Sequence, residues 1–190
     1  MDEASPWLVA NLDLLPVGGV VLDVACGSGR HATFLARRGW RVHAVDRDAA
    51  ALDRLRVAAA AHAEADAADA DAADADAAPR VGHARGVITT ECRDLETGPV
   101  DFGHAAYAGV IVFRYLHRPL MPALVDAVAP GGVLIYETFT VDQARRGHPR
   151  NPAFLLASGE LPALVAPLRV VRAREGVFNG QCVASVVAMR

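Results

Sequence analysis

Val20-Val21-Leu22-Asp23-Val24-Ala25-Cys26-Gly27-Ser28-Gly29-Arg30-His31-Ala32 decides the fold. Residues 20–25 form a compact β-branched and apolar run broken only by Asp23, the pattern of a buried parallel strand. A Gly-x-Gly turn follows, and then a helical stretch over residues 30–38 that stops at Gly39. Strand, glycine turn and helix make a nucleotide-cofactor site for a physical reason. Missing Cβ atoms let a ligand approach the backbone, and the free N–H groups of the new helix point at an anionic group. Residues 27–32 also fit GxGxxG/A, the dinucleotide fingerprint, which alone is a weak signal.

Working outward, RVHAVD at 41–46 reads as a second strand, and a helix begins at Asp48 with Leu52, Leu55 and Ala59 on one face. Residues 86–92 and 108–113 read as strands three and four. Pro119 opens a helix with Leu120, Leu124 and Val128 in one stripe, ended by Pro130-Gly131-Gly132, and residues 133–139 make strand five. Before the decisive stretch, residues 5–15 suggest a short helix capped by Ser5 with Pro6 in its first turn. After it, a helix over 159–166 precedes two strand-like runs, 168–178 and 181–189, joined by Asn179-Gly180, a strong hairpin signal. The expectation is an α/β sheet that opens with parallel β-α units and closes with an antiparallel pair.

Composition narrows the function. The chain has 190 residues, 53% of them hydrophobic, which suits one domain with a sizeable core. A formal charge of −3 gives no global field toward nucleic acid or a membrane surface. All 19 basic residues are Arg, so Schiff-base chemistry, pyridoxal-type anchoring and a Walker phosphate loop, which need Lys, are excluded. Cys26, Cys92 and Cys182 form no CxxC pair and argue against a disulfide framework or zinc knuckle. No metal is expected. The N-terminus lacks an apolar signal core and no long apolar run is present, so a reducing cytoplasm is expected. Residues 58–78, nearly all Ala and Asp, read as a solvated, partly helical extension or a disordered loop.

The acids are more informative than the glycines. Asp23 lies four residues before Gly27, Asp46 ends strand two, and Asp94 follows strand three. A carboxylate at the end of strand two can accept from both ribose hydroxyls of an adenosine. Plainer roles stand beside these: Asp23 capping the neighbouring loop's amides, Asp46 capping the next helix, Asp94 an ordinary loop acid. Taken together, VLDVACGSGRHATFLARRG, RVHAVD, the acid after strand three and the Pro-Gly-Gly before strand five resemble the class I S-adenosylmethionine-dependent methyltransferases. Ala25 stands where most members carry the first glycine of Asp-x-Gly-x-Gly-x-Gly. The resemblance implies a three-layer Rossmann-like sheet of seven strands, mostly parallel, with a C-terminal antiparallel hairpin. It implies S-adenosyl-L-methionine as cofactor and S-adenosyl-L-homocysteine as product. By position, Asp23, Ala25, Cys26, Gly27 and Gly29 would hold its methionine part. Asp46 would bind the ribose, Arg47, Asp94 and Leu95 the adenine, while Phe113 and Arg114 would line the region near the sulfonium. A nicotinamide-dependent oxidoreductase is the first alternative, with parallel strands in place of the hairpin. A catalytically silent cofactor-binding module is the second.

For the acceptor, His117 is the first candidate base and Tyr115 shapes the pocket or joins the chemistry. Glu137, at the end of strand five, has a structural alternative. The connection 140–158, rich in Arg, Gly and Pro, reads as a lid, with Arg145, Arg146 and Arg150 able to hold an anionic acceptor. FRYLHRP at 113–119 replaces the Asn-Pro-Pro-Tyr-type motif of nucleobase amino methylases, and only 6% of residues are aromatic, so nucleic acid is not favoured and a small-molecule acceptor is expected. Residues 154–161 carry a looser resemblance to small bacterial methyltransferases of the tellurite-resistance and thiopurine type. Trp7 is read either as closing the cofactor cleft or as a core residue.

Overall fold

The computed structural model describes residues 3–71 and 86–190. The strands are β1 (Val20–Val24), β2 (Arg41–Asp46), β3 (Ile88–Cys92), β4 (Tyr107–Phe113), β5 (Val128–Phe139), β6 (Arg169–Phe178) and β7 (Gln181–Met189). They form one seven-stranded sheet in the order β3-β2-β1-β4-β5-β7-β6. The first five are parallel, and β7 lies antiparallel to both β5 and β6. This is the α/β architecture expected from the sequence, closing hairpin included. After β1 the chain builds outward through β2 and β3, then returns to lay β4 on the other side of β1. The order reverses between β1 and β4, where ligands of open α/β sheets bind beyond the carboxyl ends of the strands.

Strand alternation explains the three layers. Leu22 and Val24, Val110 and Val112, and Leu134 and Tyr136 face one side, where they meet α4 (Met121–Ala127) and α5 (Glu160–Leu164) through Leu124 and Leu161. Val21, Ile111, Val133 and Ile135 face the other side. There they meet α1 (Pro6–Val9), α2 (Arg30–Ala36) and α3 (Ala49–Asp71) through Trp7, Leu8, Leu35, Leu52 and Leu55. Central strands covered on both faces have no room for solvated polar residues. Asp23 is therefore conspicuous: it sits on the face of Val21, directly beneath α2.

Two local expectations are corrected. Residues 5–15 are not one helix but α1 followed by a 3-10 turn at Leu12–Leu14, although Ser5 does cap as expected, its Oγ accepting from the Trp7 amide at 3.2 Å. Pro130-Gly131-Gly132 lies inside β5 rather than ending the preceding helix, because Val128 already turns extended (φ −69°, ψ 124°). The ladder with β4 shifts register between Tyr107 and Gly109 to absorb the irregularity, and a Cβ at Gly132 would press on the Ala129 and Ala108 carbonyl oxygens at 2.8 and 2.9 Å. The first part of the Ala/Asp stretch follows the helical of its two readings: α3 runs on through Asp71. Alanine is the strongest helix former, so propensity carries this stretch without an apolar stripe. Residues 72–78 of that stretch lie outside the described residues.

Candidate functional site

Beyond β1 the backbone turns left-handed at Ala25 (φ 53°), Gly27 (φ 56°) and Gly29 (φ 72°). Ala25 holds this conformation with a side chain, at a cost of ~1 kcal/mol or more for a non-glycine residue. At Gly29 a Cβ would overlap the methyls of buried Leu55, while at Gly27 the space is open. The first glycine thus leaves room on the ligand side, and the second lets α3 pack against the turn.

The two acids of the loop do different work. Asp46, at the end of β2, accepts from the Gly27 amide at 2.7 Å through Oδ2 and from the Asp48 amide at 2.9 Å through Oδ1. It ties the glycine turn to the neighbouring strand and stays at the surface of the cleft. Capping of α3 falls to Asp48, whose Oδ1 accepts from the Ala51 amide at 3.0 Å. Asp23 is 1% exposed, and its Oδ2 accepts from the Ala32 amide in the first turn of α2 at 3.1 Å. Burial raises the Asp23 pKa to about 7, against the opposing pull of that amide and of Arg30. It is a buried support beneath the loop rather than a wall of the cleft.

A cleft of about 160 Å³ opens beside Asp46, lined by Ala25, Asp46, Arg47, Arg93, Asp94, Leu95, Glu96 and Tyr115. Ala25, Asp46, Arg47, Asp94 and Leu95, singled out from sequence as cofactor contacts, come together there. Tyr115, singled out for the acceptor side, joins them instead. Arg93 and Glu96 are additions, their only sequence signal being that they flank Asp94 and Leu95. Gly27 reaches the cleft through its bond to Asp46.

Other predicted residues lie elsewhere. Cys26 is buried, and burial together with the Asp23 and Asp46 charges pushes its thiol pKa up, so it is a packing residue. Phe113 is 7% exposed and its ring lies 4.2 Å from that of His31. Arg114 is exposed, left-handed (φ 59°), and reaches Gln181 Oε1 at 3.4 Å, away from the cleft. His117 is half-buried, and among the described residues no hydrogen bond or ion pair holds its ring. Its neighbour Arg118 forks onto Glu160 (Nε–Oε1 2.6 Å, Nη2–Oε2 2.8 Å) and donates to the Ala153 and Leu155 carbonyls.

On the sheet's far side of this mouth, Glu137 accepts from Ser5 Oγ (2.8 Å), Ser185 Oγ (2.8 Å) and Arg174 Nη2 (2.9 Å). The Arg174 guanidinium lies over the Trp7 and Phe178 rings, at 4.5 and 4.0 Å. Glu137 is therefore a structural acid, and Trp7, 8% exposed with its Nε1 donating to the Val186 carbonyl at 3.4 Å, is a core residue. Ser5 also donates its amide to His31 Nε2 at 3.3 Å, which fixes the Nδ1–H tautomer, and burial lowers the His31 pKa to about 3.

The connection 140–158 is well anchored. Leu155 and Leu156 are buried, the Val141 and Leu156 amides bond across its two ends, and buried Gln143 accepts from the Cys182 amide at 2.8 Å. A second pocket, about 480 Å³, lies against it between Asp142, Arg145, Arg146, Val177 and Cys182. Arg145 pairs with Asp142 at 3.6 Å, and Arg150 turns back to the Gly147 carbonyl instead. Among the described residues no cluster of His, Cys, Asp and Glu could hold a metal ion, and no helix is long and apolar enough to cross a membrane.

Residues 21–81 match the sequence profile of a methyltransferase domain, a span that contains the glycine loop and Asp46. No curated protein sequence matches the chain. The fold is shared with solved structures of low identity. An S-adenosylmethionine-dependent methyltransferase from Mesorhizobium loti superposes with a TM-score of 0.66 at 15% identity, over 98% of this chain and 99% of that one. One from Methanosarcina mazei gives 0.67 at 15%, over 100% and 99%. A glycopeptide N-methyltransferase, MtfA, complexed with sinefungin gives 0.61 at 16%, over 100% and 94%. The chain has the fold of S-adenosylmethionine-dependent methyltransferases, and the segment that carries its glycine loop and Asp46 matches a methyltransferase domain.

Proposed function

We propose that this chain transfers a methyl group from S-adenosylmethionine to a small-molecule acceptor in the cytoplasm. The observation that carries the reading is Asp46. Its carboxylate is anchored by the Gly27 amide yet remains on the cleft formed where β1, β2 and β3 end. The donor set fits the cofactor: a carboxylate for ribose hydroxyls, Asp94 and Leu95 for an adenine, and a glycine turn with open space at Gly27 for the amino-acid end. When bound, the cofactor supplies a sulfonium-activated methyl group. The protein's part is to hold nucleoside and acceptor in line and keep water out. The antiparallel β7 between β5 and β6 favours this reading over a nicotinamide enzyme.

On the acceptor side, His117 has an unengaged ring and serves as base where the acceptor carries a proton. Arg145 and Arg146 face the larger pocket and favour an anionic acceptor, with the 140–158 connection as its cover. The resemblance of residues 154–161 to tellurite-resistance and thiopurine methyltransferases supports a small acceptor. Within this chain the same segment supplies Glu160 to Arg118 and Leu155, Leu156 and Leu161 to the core.

Calorimetry with S-adenosylhomocysteine tests the cofactor, and release of S-adenosylhomocysteine from S-adenosylmethionine over a panel of thiols, oxyanions, carboxylates and phenols tests the acceptor. Binding with turnover on one class is the expected result. Absence of both heat and thermal shift at millimolar cofactor would overturn the proposal, and binding without turnover on any class would leave a binding module.

A further inference from the structure

The pocket against the 140–158 connection has two unlike walls. One is the closing hairpin, where Val177 of β6 and Cys182 of β7 pair in register and both line the pocket. The other is the 3-10 turn Val141–Arg145 with Arg146 after it, which brings Asp142, Arg145 and Arg146. Buried Gln143 bolts the two together: its Oε1 accepts from the Cys182 amide at 2.8 Å, and its Nε2 donates to the His148 carbonyl at 3.1 Å. The core therefore fixes the shape of this pocket. Its volume of about 480 Å³ falls within the range of about 300–1,000 Å³ common for small-molecule sites.

The three charged lining residues leave one net positive charge. Arg145 pairs with Asp142 at 3.6 Å, whereas the exposed Arg146 guanidinium has no hydrogen bond or ion pair among the described residues. Exposed side chains change rotamer freely, so a guanidinium rooted in this wall can swing onto a ligand in the pocket. Place also matters. Arg114, the first residue after β4, donates its amide to the Glu137 carbonyl at 2.9 Å and its guanidinium to Gln181, next to Cys182, at 3.4 Å. The following residue, Tyr115, lines the cleft of Asp46. The two pockets thus flank the end of β4.

We propose, resting on the methyl-transfer reading above, that this pocket seats the acceptor as an amphipathic monoanion, its apolar body on Val177 and Cys182 and its single negative charge on Arg146. One net positive charge matches one carboxylate or similar group. A dianion would exceed it, and a neutral polar molecule would use neither wall.

Phenylacetate, phenylacetamide and phenylphosphonate share a ring and differ in charge. They serve as probes in NMR titrations of the ligand-free protein, with S-adenosylhomocysteine calorimetry alongside. Phenylacetate should bind about fivefold tighter than the amide (~1 kcal/mol, as for an exposed ion pair) and shift the Val177 and Cys182 signals. Arg146→Ala should abolish that preference, with melting temperature and S-adenosylhomocysteine affinity at wild-type values. Asp142→Asn, which leaves two unopposed cations, should gain affinity for phenylphosphonate more than for phenylacetate. Among acceptors that turn over, Arg146→Ala should raise KM about fivefold for anionic members only. An equal rise for neutral ones overturns the inference. Equal binding of phenylacetate and its amide, or shifts away from Val177 and Cys182, overturns it too, while S-adenosylhomocysteine binding in the same protein keeps the cofactor reading. Arg146-dependent binding of phenylacetate by a protein that takes up no S-adenosylhomocysteine would overturn the acceptor role together with methyl transfer and leave an anion site.

Discussion

Replacing Asp23 by Asn removes a charge from the centre of the sheet and keeps an acceptor for the Ala32 amide. The sign of the pH dependence follows from the raised pKa. Folded Asp23 titrates near 7 against 3.8 for the ordinary group, so between those values the folded chain binds a proton that the unfolded chain does not. Its favourable contribution is complete below about pH 4 and is lost as pH rises through about 7. Three pK units at 1.36 kcal/mol each make the ionised form cost about 4 kcal/mol at pH 8. Asp23→Asn escapes this cost. Its advantage over the wild type should be about 4 kcal/mol at pH 8 and shrink to about 1 kcal/mol at pH 4.5, where unfolded Asp23 begins to protonate.

His31 makes the comparison sharper. Its folded pKa of about 3 lies below the ordinary 6.5, so its contribution is present above 6.5 and drains away as pH falls. Charging the ring would also turn Nε2 from acceptor to donor against the Ser5 amide. Between pH 4.5 and 6.5 the two groups have opposite slopes of equal size and nearly cancel in the wild type. In Asp23→Asn the His31 slope stands alone, about 2 kcal/mol over those two units, or roughly 4–8 °C in melting temperature. Differential scanning fluorimetry of both proteins from pH 4.5 to 8, without ligand, measures this directly. A melting-temperature gap between variant and wild type that stays constant across that range would refute the assignment of Asp23 as a buried carboxyl that titrates near neutrality.

The other expected outcomes concern the loop. Gly29→Ala puts a Cβ against buried Leu55 at a positive φ, and the melting temperature should fall by an amount equivalent to about 2–4 kcal/mol, read by thermal or urea unfolding. At Gly27 the space is open, so Gly27→Ala should cost only ~1 kcal/mol of stability while reducing S-adenosylhomocysteine affinity far more. Asp46→Ala frees the Gly27 and Asp48 amides and should weaken S-adenosylhomocysteine binding by ~1–3 kcal/mol in calorimetry. Unchanged affinity there would remove Asp46 from the cofactor site.

How much of this was readable beforehand depends on the range of the forces involved. The sheet was legible because its signals are local: β-branched runs in buried strands, glycines where φ is positive, and Asn179-Gly180 at the hairpin, where both residues do adopt positive φ. The positions of Asp46, Asp94 and Leu95 followed from strand ends. What escaped was long-range pairing. Nothing in the string couples Glu137 to Ser5 across 132 positions, or Arg172 to Asp13, or Arg118 to Glu160. Those partners are set by which edges the topology brings together. The place of Tyr115 was hidden for a related reason: it follows β4, and after the left-handed turn at Arg114 it lines the cleft beside Asp46.

Asp23 and Asp46 show how strand geometry divides one chemistry between two carboxylates. Both belong to the carboxyl-terminal halves of neighbouring parallel strands, and Asp23 pairs in register with Ala44 of β2, two residues before Asp46. That offset is enough to separate them. Asp23 stays within the ladder, is covered by α2, and can only serve an amide of that helix. Asp46 sits where the ladder ends, so one oxygen organises the glycine turn while the carboxylate still borders the cleft. The interior acid links the fold's stability to pH, and the terminal acid borders the cleft in which the cofactor is proposed to bind. The Asp23→Asn variant should therefore retain S-adenosylhomocysteine binding at pH 8, and losing it there with the fold intact would mean that the buried charge itself, and not the loop it supports, is what the ligand requires.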